Sequence, residues 1–307
     1  MTQRLLLAAN GSRGDIQPAV ALGRVLAQAG YRVRVVAPED FRSWIVGFGL
    51  EFHPSGLDVK SVLGSAEGRK KLKSRRRRAR LVAGRDKATE SMLADAAAAM
   101  TAASEDVDGL IYSPTMPFAP SVAEARGLPA IAFMPYPAFV TRAFASPVID
   151  SRLESLGGPL NRLSHQIWRL GLVIDRQRLN DLRDRLLGLG PLPRPTRVFH
   201  VGTEPVPVLV SSSPAVVTRP PDWPAHVRLT GYWFLDEGSG WTASADLEAF
   251  LAGGDKPYGV GFGSLPIMDD APSADLVFSA IRKVGRRALV IRGSCGHVPE
   301  DLGGLGD

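Results

Sequence analysis

The chain has 307 residues, a mass of 32.9 kDa and 45% apolar residues, which suffices for about two globular domains and excludes wholesale disorder. Its single cysteine, Cys295, excludes a disulfide framework and a cysteine-based zinc site, and its five histidines show no metal-binding spacing. The net charge of +6 is local, because Arg69 to Arg80 contributes nine basic and no acidic residues, so the remainder carries −3 (+6 minus +9).

The first 40 residues predict a strand, a helix and a second strand. An apolar run over residues 5–9 ends at Asn10-Gly11 and is typical of a buried strand. Apolar spacing predicts a helix over 18–29, and the β-branched run 32–37 predicts the next strand. Such a βαβ unit indicates an α/β fold with a parallel sheet and right-handed crossovers.

The alternation continues along the chain. Helices are predicted over 87–103, 119–126, 159–189, 246–252 and 273–284, and strands over 109–112, 130–133, 206–210, 227–230, 258–262 and 288–291. A polar, glycine-rich segment follows Leu235 and predicts a linker. We therefore expect an N-terminal domain over 1–235, a linker over 236–245 and a partial C-terminal domain over 246–307.

The turn after the first strand, residues 10–15, is the strongest candidate site. Ligands of open parallel sheets bind at the carboxyl ends of the strands, and Gly11 and Gly14 permit a tight turn and a close backbone approach. Asp15 stands where the helix N-cap is expected, with Pro18 in the first turn. On spacing alone Asp15 is either a helix cap or a general base.

The sequence lacks the motifs of two classes of nucleotide-binding protein. The turn reads GxxG rather than GxGxxG, so a Rossmann-type oxidoreductase has weak support, and the chain contains no GxxxxGK[ST] sequence typical of a P-loop.

Residues 11–56, which open with GSRGDIQP, resemble the N-terminal domain of the sterol and antibiotic glycosyltransferases, which are nucleotide-sugar-dependent enzymes. The resemblance continues through residues 121–135 (SVAEARGLPAIAFMP), 230–233 (TGYW) and 256–266 (KPYGVGFGSLP). These segments follow the family's order over nearly the whole chain. The resemblance implies a GT-B fold, in which two Rossmann-like domains face each other across a cleft, here with the second domain incomplete.

The resemblance assigns the role of catalytic base to Asp15. It implies transfer of a hexose, with inversion, from a UDP- or dTDP-sugar to a hydroxyl of a hydrophobic acceptor such as a sterol, glycolipid or natural product. A carboxylate is a weak base for an alcohol, so the proton should move in concert with attack.

The donor-binding residues implied by the resemblance are Ser12, Arg13 and Gly14 in the first turn, and Gly263 and Ser264 after a later strand. It implies no metal and no cofactor beyond the nucleotide sugar itself. Acceptor-binding residues remain unassigned, and His165 fits either core packing or the lining of an acceptor pocket.

The family continues past the GFGS turn into an HHGGAGT-like turn with further donor contacts, and this sequence stops before it, at Asp307. We therefore keep an alternative, a catalytically inactive remnant that binds the acceptor. An interrupted second domain should also expose a strand edge and an apolar face.

The basic run from Arg69 to Arg80 has four interpretations: a solvated face, attachment to an anionic membrane, an anionic acceptor, or nucleic acid. Nucleic acid is the weakest, because no aromatic residues interleave the run. No apolar run is long enough to span a bilayer, and the N-terminal one is too short for a signal peptide. We expect a cytoplasmic protein, peripheral on the membrane if the basic run binds lipid.

Overall fold

The computed structural model describes residues 2–56, 87–146, 157–172, 176–193, 199–236, 242–261 and 271–291. They divide into two compact units. The described residues up to Leu235 form the first unit, and those from Asp236 onward form the second.

Seven parallel strands form the central sheet of the first unit, and a short antiparallel hairpin of β6 and β7 lies outside it. The strands are β1 (Arg4–Ala8), β2 (Arg32–Ala37), β3 (Glu51–Pro54), β4 (Gly109–Tyr112), β5 (Ala130–Met134), β6 (His200–Val201), β7 (Glu204–Pro205), β8 (Val208–Val210) and β9 (Val227–Leu229). Their order across the sheet is β3-β2-β1-β4-β5-β8-β9. The order reverses at β1, where Leu7 stands between Val35 of β2 and Ile111 of β4.

The described helices of this unit are α1 (Arg13–Gln28), α2 (Arg42–Gly47), α3 (Lys87–Ala103), α4 (Ala119–Arg126), α5 (Gly158–Leu172) and α6 (Arg176–Leu187). Side chains of β1 alternate between the two faces of the sheet. Leu7 and Ala9 pack against α1, whereas Leu6 and Ala8 belong to the cluster under α3, α4 and α6. Both faces are covered, which is why the strands read as continuous apolar runs.

One large cation lies inside this core. Arg183 of α6 is 1% exposed, and its guanidinium forms a two-fold contact with the carboxylate of Glu124 of α4, at 2.9 and 3.1 Å. It also donates to Ser121 Oγ at 2.9 Å and to the carbonyl oxygen of Gly190 at 3.1 Å. The planar donor set of arginine therefore ties α6 to α4 and to the loop after α6.

The second unit contains α7 (Ala245–Ala252), β10 (Tyr258–Gly261), α8 (Ala271–Val284) and β11 (Ala288–Ile291), and its two strands pair in parallel. Phe278 is the only buried residue among those of this unit whose side chains are described. The expected exposed apolar face is present on β11, where Leu289 is 36% and Ile291 61% exposed.

The start of α1 differs from the sequence-based expectation. The helix begins at Arg13 rather than at residue 18, because Ser12 is extended and its carbonyl oxygen accepts from the N–H groups of Asp15 and Ile16 at 2.9 and 3.2 Å. Ser12 is thus the N-cap, and the prediction that Asp15 holds this position was wrong. Pro18 lies in the second turn rather than the first.

Other differences concern short or interrupted elements. The helical region predicted over 159–189 forms two helices, α5 and α6, and the strand predicted over 206–210 is confined to Val208–Val210. The short elements α2, β6 and β7 were not predicted, because a few residues carry no reliable periodicity.

Candidate functional site

The candidate site lies at the carboxyl end of β1, where the strand order reverses. In open α/β sheets this reversal opens a crevice between loops that leave in opposite directions. The turn from Asn10 to Ser12 and the first turn of α1 occupy this position. The sequence prediction of a site in this turn therefore coincides with the place where the topology favours a ligand.

Gly11 shapes the turn. Its φ is +131°, a conformation that side chains of L-residues rarely adopt. A Cβ atom at this position would lie 2.3 Å from Oδ2 of Asp15. The turn therefore requires glycine both for its backbone conformation and for the space that the carboxylate occupies.

Ser12 holds the carboxylate of Asp15 through two donors. Its backbone N–H donates to Asp15 Oδ2 at 2.8 Å, and its hydroxyl donates to the same oxygen at 3.1 Å. Within the described part of the chain, Oδ1 of Asp15 accepts no hydrogen bond. One oxygen is thus anchored, and the other is left to accept a proton.

Burial raises the pKa of the Asp15 carboxyl above its ordinary value, and the hydrogen bonds from Ser12 lower it by a smaller amount. Burial disfavours the charged form of a carboxylate, and a raised pKa makes it a stronger base when ionised. Asp15 is therefore both a first-turn residue that completes the helix start and a carboxylate with altered basicity.

Tyr136 lies two residues after β5, and the charge of the Asp15 carboxylate affects its phenol. The pKa of its phenol is raised, first by burial and then by the negative charge of Asp15. Sequence reasoning missed this residue, although its position just after a predicted strand, at the sheet edge that carries the site, was a usable signal. The phenol stays protonated and can act only as a neutral donor or acceptor.

The other predicted donor-binding residues of the first turn, Arg13 and Gly14, differ in their surroundings. The guanidinium of Arg13 lies 4.9 Å from the ring centroid of Trp44, and its Nε donates to Gln17 Oε1 at 3.1 Å. Gly14 faces open space, since a Cβ there would meet only Ser12 Oγ, at 3.9 Å. Gly263 and Ser264, like the basic run from Arg69 to Arg80, lie outside the described residues.

A polar network joins the site to the loop that follows β4. The N–H of Asn10 donates to Thr115 Oγ1 at 3.0 Å, and that hydroxyl donates to Ser113 Oγ at 3.1 Å. Sequence reasoning placed Asn10 in the candidate turn but did not single out Ser113 and Thr115, because Ser and Thr after strands are also ordinary turn residues.

His165 lies away from solvent in α5. It is fully buried, and its Nε2–H donates to the carbonyl oxygen of Phe144 at 3.1 Å. Burial lowers the pKa of its imidazole, so the neutral ring is favoured.

No group of three or more His, Cys, Asp or Glu side chains within the described ranges is arranged to hold a metal ion. None of the described helices combines the length and the apolar character that crossing a bilayer requires.

Residues 5–145 match the Glycosyltransferase family 28 N-terminal domain. O-mycaminosyltylonolide 6-deoxyallosyltransferase of Streptomyces fradiae is 32% identical over 308 residues, which cover 97% of this chain and 70% of that protein. Sterol 3-beta-glucosyltransferase UGT80A2 of Arabidopsis thaliana is 30% identical over 311 residues, covering 97% of this chain. This chain spans only 45% of the Arabidopsis protein.

Solved glycosyltransferases share the fold. SnogD of Streptomyces nogalater aligns over 100% of this chain and 70% of its own, with a TM-score of 0.55 and 18% identity. The glycotransferase of kitacinnamycin aligns over 94% of this chain and 65% of its own, with a TM-score of 0.52 and 14% identity. The predicted GT-B fold class is confirmed.

Proposed function

Because this chain belongs to the glycosyltransferases that carry a family 28 N-terminal domain, we propose that its first unit binds a sugar acceptor and supplies the general base for transfer. The donor is a UDP- or dTDP-hexose, and the acceptor is a hydroxyl of a sterol, glycolipid or natural product. The names of the relatives support a hexose as the transferred sugar and a sterol or natural product as the acceptor, since one is a sterol glucosyltransferase and another a deoxyallosyltransferase.

The observation that carries the proposal is the setting of Asp15. Its carboxylate stands at the switch point of the sheet, is anchored through Oδ2 by Ser12, and has a pKa raised by burial. A base for an alcohol must be ionised when the alcohol binds, and partial burial makes the ionised carboxylate more basic than an exposed one.

In the proposed step, the acceptor oxygen attacks the anomeric carbon from the face opposite the nucleotide diphosphate. The bond from that carbon to the diphosphate oxygen breaks, and the diphosphate leaves with the electron pair. The hydroxyl proton passes to Oδ1 of Asp15 as the new bond forms. The configuration at the anomeric carbon is therefore inverted.

We also propose that Ser12, Arg13 and Gly14 in the first unit are donor-binding residues, and that Gly263 and Ser264 are the donor-binding residues of the second unit, with Ser264 meeting the donor phosphates. The open surface at Gly14 and the positive end of the α1 dipole favour an anion there. Since the guanidinium of Arg13 is engaged by Trp44 and Gln17, its contribution would come from the backbone N–H.

The test compares Asp15→Asn with the wild type, using UDP-glucose with cholesterol and a dTDP-hexose with O-mycaminosyltylonolide. We expect kcat to fall by roughly 10²–10⁴-fold, the usual contribution of a general base. Glu39→Gln is the matched control, because Glu39 is an exposed carboxylate after β2 that pairs with Arg42. A wild-type rate in Asp15→Asn would remove Asp15 from the mechanism.

A second candidate is an acceptor-binding protein that transfers no sugar. It is favoured by the second unit, in which Phe278 is the only buried side chain among those described, so that the described residues of this unit form no buried cluster. Titration calorimetry separates the two functions. Binding of cholesterol or O-mycaminosyltylonolide without binding of UDP-glucose or a dTDP-hexose would support the second candidate.

We further propose that the chain acts at the cytoplasmic face of a membrane, held by the basic run from Arg69 to Arg80. Each basic residue near an anionic surface contributes about 1 kcal/mol, and a lipid-like acceptor would be dissolved there. Co-sedimentation with vesicles tests this. Binding should require anionic lipid, and equal binding to neutral vesicles would reject the proposal.

A further inference from the structure

Asn10 is a buried polar residue whose side-chain oxygen has no partner. It is 9% exposed, and its Oδ1 is buried without a hydrogen bond to any described residue. It directly precedes Gly11 and so lies beside the Asp15 site. An unpaired acceptor that is buried away from water makes folding less favourable, so Asn10 lowers the stability of the native state.

The position of Asn10 is fixed by contacts to β2 and to the loop after β4. On one side, the N–H of the preceding residue, Ala9, donates to the carbonyl oxygen of Val36 at 3.1 Å. On the other, the N–H of Asn10 itself donates to Thr115 Oγ1 at 3.0 Å. The unpaired oxygen is thus held on a rigid strand end, which suits recognition of a ligand group at a defined place.

We propose that Asn10 is a substrate-binding residue whose Oδ1 accepts a hydrogen bond from a hydroxyl group of the bound substrate. This inference rests on the proposed function. The attacking hydroxyl has one proton, and Asp15 takes it, so the group that Asn10 binds is a second hydroxyl. That hydroxyl belongs either to the donor sugar or to a polyhydroxylated acceptor.

The first measurement is the stability of the unliganded full chain. Leucine has nearly the shape of asparagine, so Asn10→Leu removes the unpaired oxygen with little change in volume. We expect Tm to rise by roughly 2–4 °C. Ser211→Ala is the control, because Ser211 is 4% exposed at the same sheet edge but its Oγ donates to the Met134 carbonyl oxygen at 3.3 Å. Its Tm should fall.

The second measurement is binding of four probes by calorimetry: UDP-glucose, UDP alone, cholesterol and O-mycaminosyltylonolide. We expect Asn10→Leu to weaken one of them by roughly tenfold, as when one buried hydrogen bond is lost. Weaker binding of UDP-glucose with unchanged binding of UDP places the hydroxyl on the sugar. Weaker binding of O-mycaminosyltylonolide with unchanged binding of cholesterol places it on a polyhydroxylated acceptor.

Three results overturn the proposal. A fall in the Tm of Asn10→Leu would mean that the oxygen is satisfied in the free protein, for instance by a buried water, and is structural. Unchanged affinity of Asn10→Leu for all four probes would show that Asn10 does not contact the substrate. A wild type that binds none of the probes would reject the contact as well. Failure of the proposed function is recognised separately, as absence of transfer by a wild type whose probe binding still depends on Asn10.

Discussion

The carboxylate of Asp15 occupies the space that a side chain on Gly11 would need. A Cβ atom at position 11 would lie 2.3 Å from Asp15 Oδ2, well inside contact distance, and Gly11 has a φ of +131°. The glycine and the carboxylate are therefore one structural arrangement, in which the missing side chain allows Asp15 to fold back over the turn and meet Ser12.

Gly11→Ala should damage both stability and transfer. The positive φ alone costs about 1–3 kcal/mol for alanine, and the displaced carboxylate should lower the transfer rate by roughly 10²-fold. Gly30→Ala is the matched control, because its φ is +94° but a Cβ there meets nothing within 4 Å. It should lose stability and keep its transfer rate. Chemical denaturation and initial-rate assays measure the two effects, and equal rates for the two variants would contradict the argument.

The pH dependence of stability should report the partly buried carboxyl of Asp15. Its pKa is raised in the folded state, so the folded chain holds this proton more tightly than the unfolded chain. The contribution of Asp15 to stability is therefore largest at low pH and declines as pH rises from 3.8 through the folded pKa. Asp15→Asn should remove this decline and become relatively more stable at neutral pH. Urea unfolding of both proteins across this range checks it, and parallel curves would refute it.

His165 should change the pH dependence of stability in the direction opposite to Asp15. Burial lowers its pKa below 6.5, so the unfolded chain binds this proton more tightly. Stability from the neutral ring is complete above 6.5 and is lost as pH falls toward the folded pKa. His165→Gln retains an amide donor for the Phe144 carbonyl oxygen and cannot be protonated. Its unfolding free energy should decrease less than that of the wild type between pH 7 and pH 5, which calorimetry at the two pH values would detect.

Arg183→Met should be among the most destabilising changes in the first unit. It leaves the partly buried Glu124 carboxylate without its fully buried guanidinium partner, and breaking a buried pair costs about 3–5 kcal/mol. The exposed pair of Arg286 with Asp255 provides the comparison, since Arg286→Met should cost at most about 1 kcal/mol. Denaturant unfolding would measure both. Equal losses would show that the buried ion pair contributes no more than the surface pair.

Sequence reasoning worked best where one signal dominates. The alternation of apolar strands and periodic helices indicated a parallel α/β sheet, because burial of both faces imposes that pattern on any such chain. The GSRGD turn indicated the family and the candidate base for a comparable reason, since its residues are contiguous. Sequence reasoning was less accurate at the start of the first helix, where Ser12 rather than Asp15 caps α1. Spacing alone could not choose between two polar residues that both favour the first turn.

The sequence by itself therefore determined the fold class, the family and the position of Asp15, because each depends on residues close together in the chain. Only the tertiary structure decided the properties of the site. The raised pKa of Asp15 comes from burial. Tyr136, whose phenol is affected by the charge of Asp15, lies after a strand more than 100 residues later in the chain. The pairing of Arg183 with Glu124, and the unpaired oxygen of Asn10, likewise depend on which distant groups meet. Burial and pairing are properties of neighbours in space, and a linear pattern does not specify them.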